Sequence, residues 1–273
     1  MARRLTIVAG SGALVPHVAA AVRSAGHELQ VIDLGGRGDI AGDEVRHLPL
    51  REAGAVLDAI RAFRPSRLVL AGAVHISDGE REALAQAFGT AGRVAGGLGD
   101  IGLAGMILVF ARLNGIRLVG AHDVAPELLT PAGHVAGPPP DADLAALAPL
   151  ALKAARAVGS IDLGQAVVMA GRRPLAAEDA GGTDALLARV GALRAAGLAG
   201  NGRGRLVLAK ARKPKQPAFV DLPAIGPDTV VNAAAAGISA IVLEARATLL
   251  LDRATLAAEA AARGVSVIGQ RHG

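Results

Sequence analysis

Short apolar runs bounded by glycine alternate with segments of helical period through the first half of the chain. Residues 5–9 read as a buried strand. Leu14–Ser24, apolar at helical spacing, reads as a helix closed by Gly26. Glu28–Asp33 is a second strand that runs into Gly35 and Gly36. After a polar loop comes the helix Ala53–Phe63, then the apolar run Arg67–Ala71 ending at Gly72. A glycine-rich segment leads to a helix over 101–114 and a strand over 116–120. Strands and helices that alternate in this way pair in parallel through right-handed crossovers, which predicts a Rossmann-like layer.

The rhythm breaks at Thr130-Pro131 and at Gly137-Pro138-Pro139-Pro140. Three consecutive prolines do not fit a helix interior or a central strand, so the boundary is expected between Pro131 and Asp141. Beyond it an Ala/Leu-rich helix spans 141–158, interrupted at Pro149. Runs over 166–169 and 174–177 flank Gly171-Arg172-Arg173, a hairpin signature. There follow a helix over 184–196, a strand over 205–209, a long polar loop to Asp221, and a helix capped near Asp228-Thr229. Strands over 238–244 and 247–251, a helix capped by Asp252 and a strand over 265–268 complete the chain. The reading is α/β throughout: a Rossmann-like N-terminal domain over 1–132 and a mixed α/β C-terminal domain over 141–273. Residues 133–140 are the linker, and the ligand is expected in the cleft between the domains.

Composition narrows the chemistry. Of 273 residues 52% are hydrophobic, which excludes a disordered chain. With no cysteine, thiolate nucleophiles, disulfides and cysteine-based metal sites are excluded. Four Phe are the only aromatics, too few for base-stacking platforms. The net charge is +5, but 25 of the 29 basic residues are scattered arginines. That pattern counts against nucleic acid as a partner and favours one local anionic ligand or an anionic membrane surface. The start of the chain reads as a strand and turn and not as a signal peptide, and no apolar run approaches the ~20 residues of a spanning helix.

Several motifs could carry function. Gly10-Ser11-Gly12 follows the first strand, but a third glycine of the dinucleotide fingerprint would fall at Val15, so that match fails. A glycine turn before a helix still offers backbone N–H groups to an anion, and Asp33 stands where a ribose-binding acid would; the alternative is a tight turn with a loop acid. His122 and Asp123 lie just past a predicted strand, at the sheet edge where such folds hold ligands, or else simply start a helix. In the second half Glu178, Asp184 and Asp221 accompany a basic loop with Lys210, Arg212, Lys213 and Lys215. Carboxylates beside such a loop suit a phosphate with a divalent metal, although helix capping and surface solvation explain the same acids. Walker A, G-x-S-x-G and H-E-x-x-H motifs are missing.

One order of signatures runs through the second half. It starts with Gly120-Ala-His122-Asp-Val-Ala-Pro126-Glu127-Leu-Leu and continues with Asp162-Leu-Gly164-Gln165 and Gly182-Thr183-Asp184-Ala-Leu-Leu. Lys210-Ala-Arg-Lys213-Pro214, Asp221-Leu222-Pro223-Ala-Ile-Gly226-Pro227 and Leu249-Leu-Leu-Asp252-Arg follow. This succession resembles the LpxI-type UDP-2,3-diacylglucosamine pyrophosphatases of lipid A synthesis, strongly over 116–269 and less so before. The resemblance implies a two-domain enzyme with its lipid product held between domains. It would hydrolyse UDP-2,3-diacylglucosamine to UMP and 2,3-diacylglucosamine 1-phosphate with Mg²⁺ or Mn²⁺. The family's site lies largely in the C-terminal domain and needs an Asp, matched here by Asp221. On that footing Asp221, Lys210 and Lys213 are the catalytic candidates. Gly10, Gly12, His122, Gln165 and Thr183 are the substrate-binding candidates, and Asp221, Asp184 and Glu178 the metal ligands. The expected location is the cytoplasm, with peripheral contact at the anionic inner membrane. The chain departs from the family at Pro217 and Ala218, after Gln216, and at Gly181, where acidic or basic residues are usual; Leu50–Glu52 opens a segment without the family's Gly-Gln-x-Gly-Lys. These departures keep open a non-catalytic nucleotide-sugar or lipid-binding homologue. A sugar-nucleotide transferase is a third reading.

Overall fold

The computed structural model describes residues 3–74, 76–88, 99–199, 204–214, 219 and 222–272, with backbone alone over 99–104. The chain forms two compact units, one reaching Pro126 and one starting at Glu127, with Phe219 grouped with the first. In the first unit, β1 (Arg4–Ala9), β2 (Glu28–Asp33), β3 (Glu44–His47), β4 (Arg67–Ala71) and β5 (Arg117–Val119) make one parallel sheet. Their order is β3-β2-β1-β4-β5, the Rossmann-type arrangement with β1 at the centre. Leu5, Ile7 and Ala9 are wholly buried, and β2 is buried from Leu29 to Asp33, as a strand covered on both faces must be.

Helices α1 (Leu14–Ser24), α2 (Ala53–Phe63), α3 (Asp78–Ala87) and α4 (Gly99–Leu113) supply that cover, and a short helix α5 (Ala121–Val124) follows β5. Val56, Leu57, Ile60 and their neighbours on α2 pack with Ile32, Leu68, Phe110 and Ile116. Two elements here were not foreseen. Strand β3 is short and largely exposed, so it lacks a buried alternation. Helix α3 buries only Leu84, yet it opens with a full capping box: Ser77 Oγ accepts from Glu80 N–H while the Glu80 carboxylate accepts from Ser77 N–H at 2.8 Å.

The second unit is built on a six-stranded mixed sheet. Its strands are β6 (Gly133–Ala136), β7 (Ala166–Ala170), β8 (Arg173–Ala177), β9 (Leu206–Lys210), β11 (Ala240–Glu244) and β13 (Ser266–Gln270). The order is β6-β13-β11-β9-β7-β8, with β9, β11 and β13 parallel and β6 and β7 antiparallel to their neighbours. Strands β10 (Ala224–Ile225) and β12 (Leu249–Leu250) form a separate two-stranded ribbon, so the strand expected over 247–251 is shorter than its apolar content. Alternate residues of the sheet enter two cores. Val167, Val207, Ala209 and Val242 pack on α6 (Ala142–Ser160). Val168, Leu208, Ile241 and Leu243 pack on α7 (Gly182–Ala195), α8 (Pro227–Ala235) and α9 (Arg253–Arg263).

Two expectations for this unit need correction. The segment 133–140 is not simply a linker, because Gly133–Ala136 is an edge strand paired antiparallel with β13. Just before it, the Thr130 hydroxyl, fully buried, meets the Thr248 hydroxyl at 2.8 Å. Helix α6 runs through Pro149 without interruption. Leu144, Leu147, Ala148, Ala151, Leu152 and Ala155 form one buried stripe, and that packing outweighs the hydrogen bond the proline removes.

Candidate active site

Because β7 runs against β9 and β8 against β7, the start of β7, the end of β8 and the ends of β9 and β11 lie along one edge of the second sheet. Ligands in α/β folds gather outside such carboxyl ends. The register puts Ala166 opposite Lys210 and Val167 opposite Ala177, so Gln165, Glu178 and Lys210 come to that edge together. Gly164 permits the approach: a Cβ there would lie 2.4 Å from the carbonyl oxygen of Glu178.

A buried polar network results. Glu178 and Lys210 are each 6% exposed. One Glu178 oxygen accepts from the Gln165 N–H at 2.8 Å, the other from the Thr183 hydroxyl at 2.7 Å. Lys210 Nζ donates to Thr183 Oγ1 at 2.8 Å and to the Ala224 carbonyl at 3.1 Å. Thr183 therefore joins the two charges through one hydroxyl. Burial holds the Lys210 amine below the ordinary lysine range, and the negative charges of Glu178 and Asp184 oppose that shift. Asp184 is exposed at the start of α7, where its carboxylate accepts from Asn232 Nδ2 at 3.2 Å. A cavity of about 330 Å³ opens beside it, lined by Leu187, Ala188, Gly191, Ala235 and Ala236.

Further residues meet at the same edge. Glu244, also 6% exposed, accepts from Arg156 Nη1 at 2.5 Å and from the Arg212 N–H at 3.0 Å. Neither Glu244 nor Arg156 was singled out from sequence, although Glu244 ends a strand at the edge where ligands gather. Lys210 is the last residue of β9 and not part of a loop, which explains its burial. Lys213, expected beside it, instead holds Asp162 at 2.6 Å in a partly exposed ion pair.

The first unit treats its candidates differently. At the glycine turn the N–H groups of Gly10 and Ser11 go to the Ala71 and Ala73 carbonyls, both at 2.8 Å. Arg37 Nη1 donates to the carbonyls of Gly10 and Gly12, at 3.1 and 2.7 Å. The turn thus spends those donors on its own fold, and a Cβ at Gly10 would strike the Ala73 carbonyl at 2.4 Å. Asp33 is buried and accepts from the Gly35 and Arg37 N–H groups at 3.0 and 2.5 Å, which makes it a loop-holding acid. His122 sits on α5, its Nε2 3.8 Å from Asp123, whose carboxylate accepts from the Gly120 N–H at 2.9 Å. Asp221, Lys215 and Gln216 lie outside the described residues. Among the described residues no group of three or more His, Asp or Glu is placed to hold a metal.

The LpxI N-terminal domain model matches residues 4–128 and the LpxI C-terminal domain model residues 131–268. The chain belongs to the LpxI family. A relative from Caulobacter vibrioides, named UDP-2,3-diacylglucosamine pyrophosphatase LpxI, is 35% identical over 98% of this chain and 97% of its own length. Solved structures resemble it only slightly. The WbmG enzyme of Bordetella bronchiseptica with NAD and UDP is 21% identical over 42% of this chain and 36% of that one, with a TM-score of 0.29. The UDP-glucose 4-epimerase of Thermus thermophilus with NAD is 21% identical over 51% and 41%, again with a TM-score of 0.29. In this LpxI chain, then, Gln165, Glu178, Thr183 and Lys210 share one network within the second unit, with Asp184 at its exposed side, while Lys213 pairs with Asp162.

Proposed function

We propose that this protein hydrolyses the pyrophosphate bond of UDP-2,3-diacylglucosamine, releasing UMP and 2,3-diacylglucosamine 1-phosphate for lipid A synthesis. One observation carries the reading: identity of 35% spans nearly the whole chain against a relative named for that activity. The carboxyl-edge network supplies compatible chemistry. Lys210 is a buried amine anchored by Thr183, and in its protonated form it supplies a preorganised positive charge of the kind that stabilises charge developing on a phosphoryl oxygen. Glu178, bonded at both oxygens, fixes Thr183 and so fixes the direction of the ammonium.

Mg²⁺ or Mn²⁺ belongs to the same proposal. Such ions take hard oxygen ligands, use one or two carboxylates, and complete their shell with water and substrate phosphate, so no full protein cage is required. Asp184, exposed beside the network, suits that role, with Asp221 as its partner. Glu178, engaged at both oxygens by protein donors, is the poorer ligand. A bound ion would neutralise phosphate charge. Asp221 is the group proposed to hold it or to take the proton of the attacking water. Purified protein incubated with UDP-2,3-diacylglucosamine should release UMP, and removal of divalent ions by EDTA should stop the release until Mg²⁺ or Mn²⁺ is returned. Absence of UMP under all metal conditions would overturn the reading in favour of a binding homologue.

A further inference from the structure

Among the described residues of the second unit three charged side chains are buried: Glu178, Lys210 and Glu244. The first two share the network described above, but Glu244 has no part in it. Alternation along the strands separates them. Lys210 follows Leu208 onto the face covered by α7, where it meets Thr183. Glu244 follows Val242 onto the face covered by α6, where it meets Arg156. A carboxylate is costly to bury unless it is paired and hydrogen-bonded. Both oxygens of Glu244 are engaged, one by Arg156 Nη1 at 2.5 Å and the other by the Arg212 N–H at 3.0 Å. The second bond lies where the sheet ends. Leu243 and Lys210 are the last partners in register between β11 and β9, and beyond them the side chain of Glu244 receives the Arg212 N–H. On the other flank of β9 the Ala211 N–H goes to the Gln165 carbonyl at 2.9 Å. The chain leaving Lys210 is therefore held from both sides. Gly159, near the end of α6, lets that chain lie close, since a Cβ there would stand 3.2 Å from Lys213 Cα and 3.4 Å from Pro214 Cδ.

We infer that Glu244 is a positioning residue for the hydrolysis proposed above: through the Arg212 N–H it fixes the segment 211–214, and with it the end of β9 that carries Lys210. A carboxylate that accepts a backbone N–H makes a charge-assisted bond, stronger than one between two peptide groups. Arg156 anchors the same carboxylate to α6, so the end of β9 is tied to a packed helix and not to a loop. Neither Glu244 nor Arg156 needs to touch the substrate. The consequence for chemistry falls on Lys210, two residues before the anchored amide. A positive charge set against developing phosphoryl charge works only in the right place, and a small displacement weakens the transition state more than the bound ground state. The inference rests on the hydrolase reading for its effect on turnover, but the held segment itself does not depend on that reading.

The test uses the full-length protein with Glu244→Met, Arg156→Met, the double variant of both, and Glu244→Gln. Glu244→Met strands Arg156 and removes the acceptor of the Arg212 N–H. Its melting temperature should drop, and with UDP-2,3-diacylglucosamine its kcat should fall by about ten- to a hundredfold while KM changes little. Arg156→Met leaves that acceptor in place and should cost stability more than kcat. The double variant buries no unpaired charge and should melt near the wild type, yet its kcat should stay as low as that of Glu244→Met. Glu244→Gln keeps an oxygen for the Arg212 N–H and should recover much of kcat. Hydrogen exchange of the peptide carrying the Arg212 amide is read alongside, without substrate. It should quicken in Glu244→Met and in the double variant, and stay near the wild-type rate in Arg156→Met and Glu244→Gln. A double variant that regains stability and kcat together would reduce Glu244 to the partner of Arg156 and overturn the inference, as would wild-type kcat in Glu244→Met. If the wild type releases no UMP but exchange follows the stated order, the hydrolase reading fails while the held segment stands. If UMP is released and exchange is the same in every variant, the reverse holds.

Discussion

One hydroxyl, that of Thr183, keeps two buried charges in register. It donates to Glu178 at 2.7 Å and accepts from Lys210 at 2.8 Å, so its removal leaves each of these buried partners one bond short. Thr183→Val preserves shape but not the hydroxyl, and should cost about 1–3 kcal/mol of stability, the range for stranding buried polar groups. Turnover should fall further than stability accounts for, because Lys210 loses the contact that aims it. Thr183→Ser keeps the hydroxyl and should restore both. Chemical denaturation and steady-state rates on the pair of variants check this. A valine variant as stable and as active as the wild type would reduce the network to incidental contacts.

At the scale of elements, the sequence was most informative where packing is two-sided. Strands β1, β2 and β4 and helices α1 and α2 stand where glycine-bounded apolar runs placed them, because their burial leaves a strong pattern. Elements at the margins left little trace. Strand β3 is mostly exposed, and β6 is four residues at a sheet edge beside prolines. The candidate site was legible as a set of residue types and not as a geometry. Glu178, Thr183 and Lys210 were all named, yet their bonds depend on the registers of β7 with β8 and β9, which no local pattern encodes. Arg212 was seen only as one more charge in a basic run, since the bond from its N–H to Glu244 is visible only in three dimensions.

Helix α6 gives the prediction proper to this scale. Pro149 lies in its interior and is exposed, so the Ala145 carbonyl it leaves without an amide partner faces the solvent side. Packing of the buried stripe holds the helix together despite that loss. Pro149→Ala restores the bond and should raise stability by about 1–2 kcal/mol, once the more ordered unfolded state of the proline chain is offset. Denaturant midpoints of the two proteins measure it. A destabilised alanine variant would mean that the proline bend itself is fitted to the sheet.

For the molecule as a whole, the decisive feature is that the second unit closes its own core. Its six-stranded sheet is covered on one face by α6 and on the other by α7, α8 and α9, and both hydrophobic clusters are drawn from residues between Leu144 and Ile268, with Ala136 added. The network of Gln165, Glu178, Thr183 and Lys210 lies wholly inside this unit, as do Arg156, Glu244 and Arg212. A unit of this size, with both faces of its sheet buried, has enough apolar burial to fold alone. A fragment covering 127–273 should therefore be soluble and melt in one cooperative transition by circular dichroism. It should keep the Lys210–Thr183–Glu178 contacts, so Thr183→Val should lower its melting point as it lowers that of the full chain. A fragment that shows no cooperative transition would show that the first unit is needed to hold this sheet together. In that case the buried network would be a property of the whole chain and not of its C-terminal half.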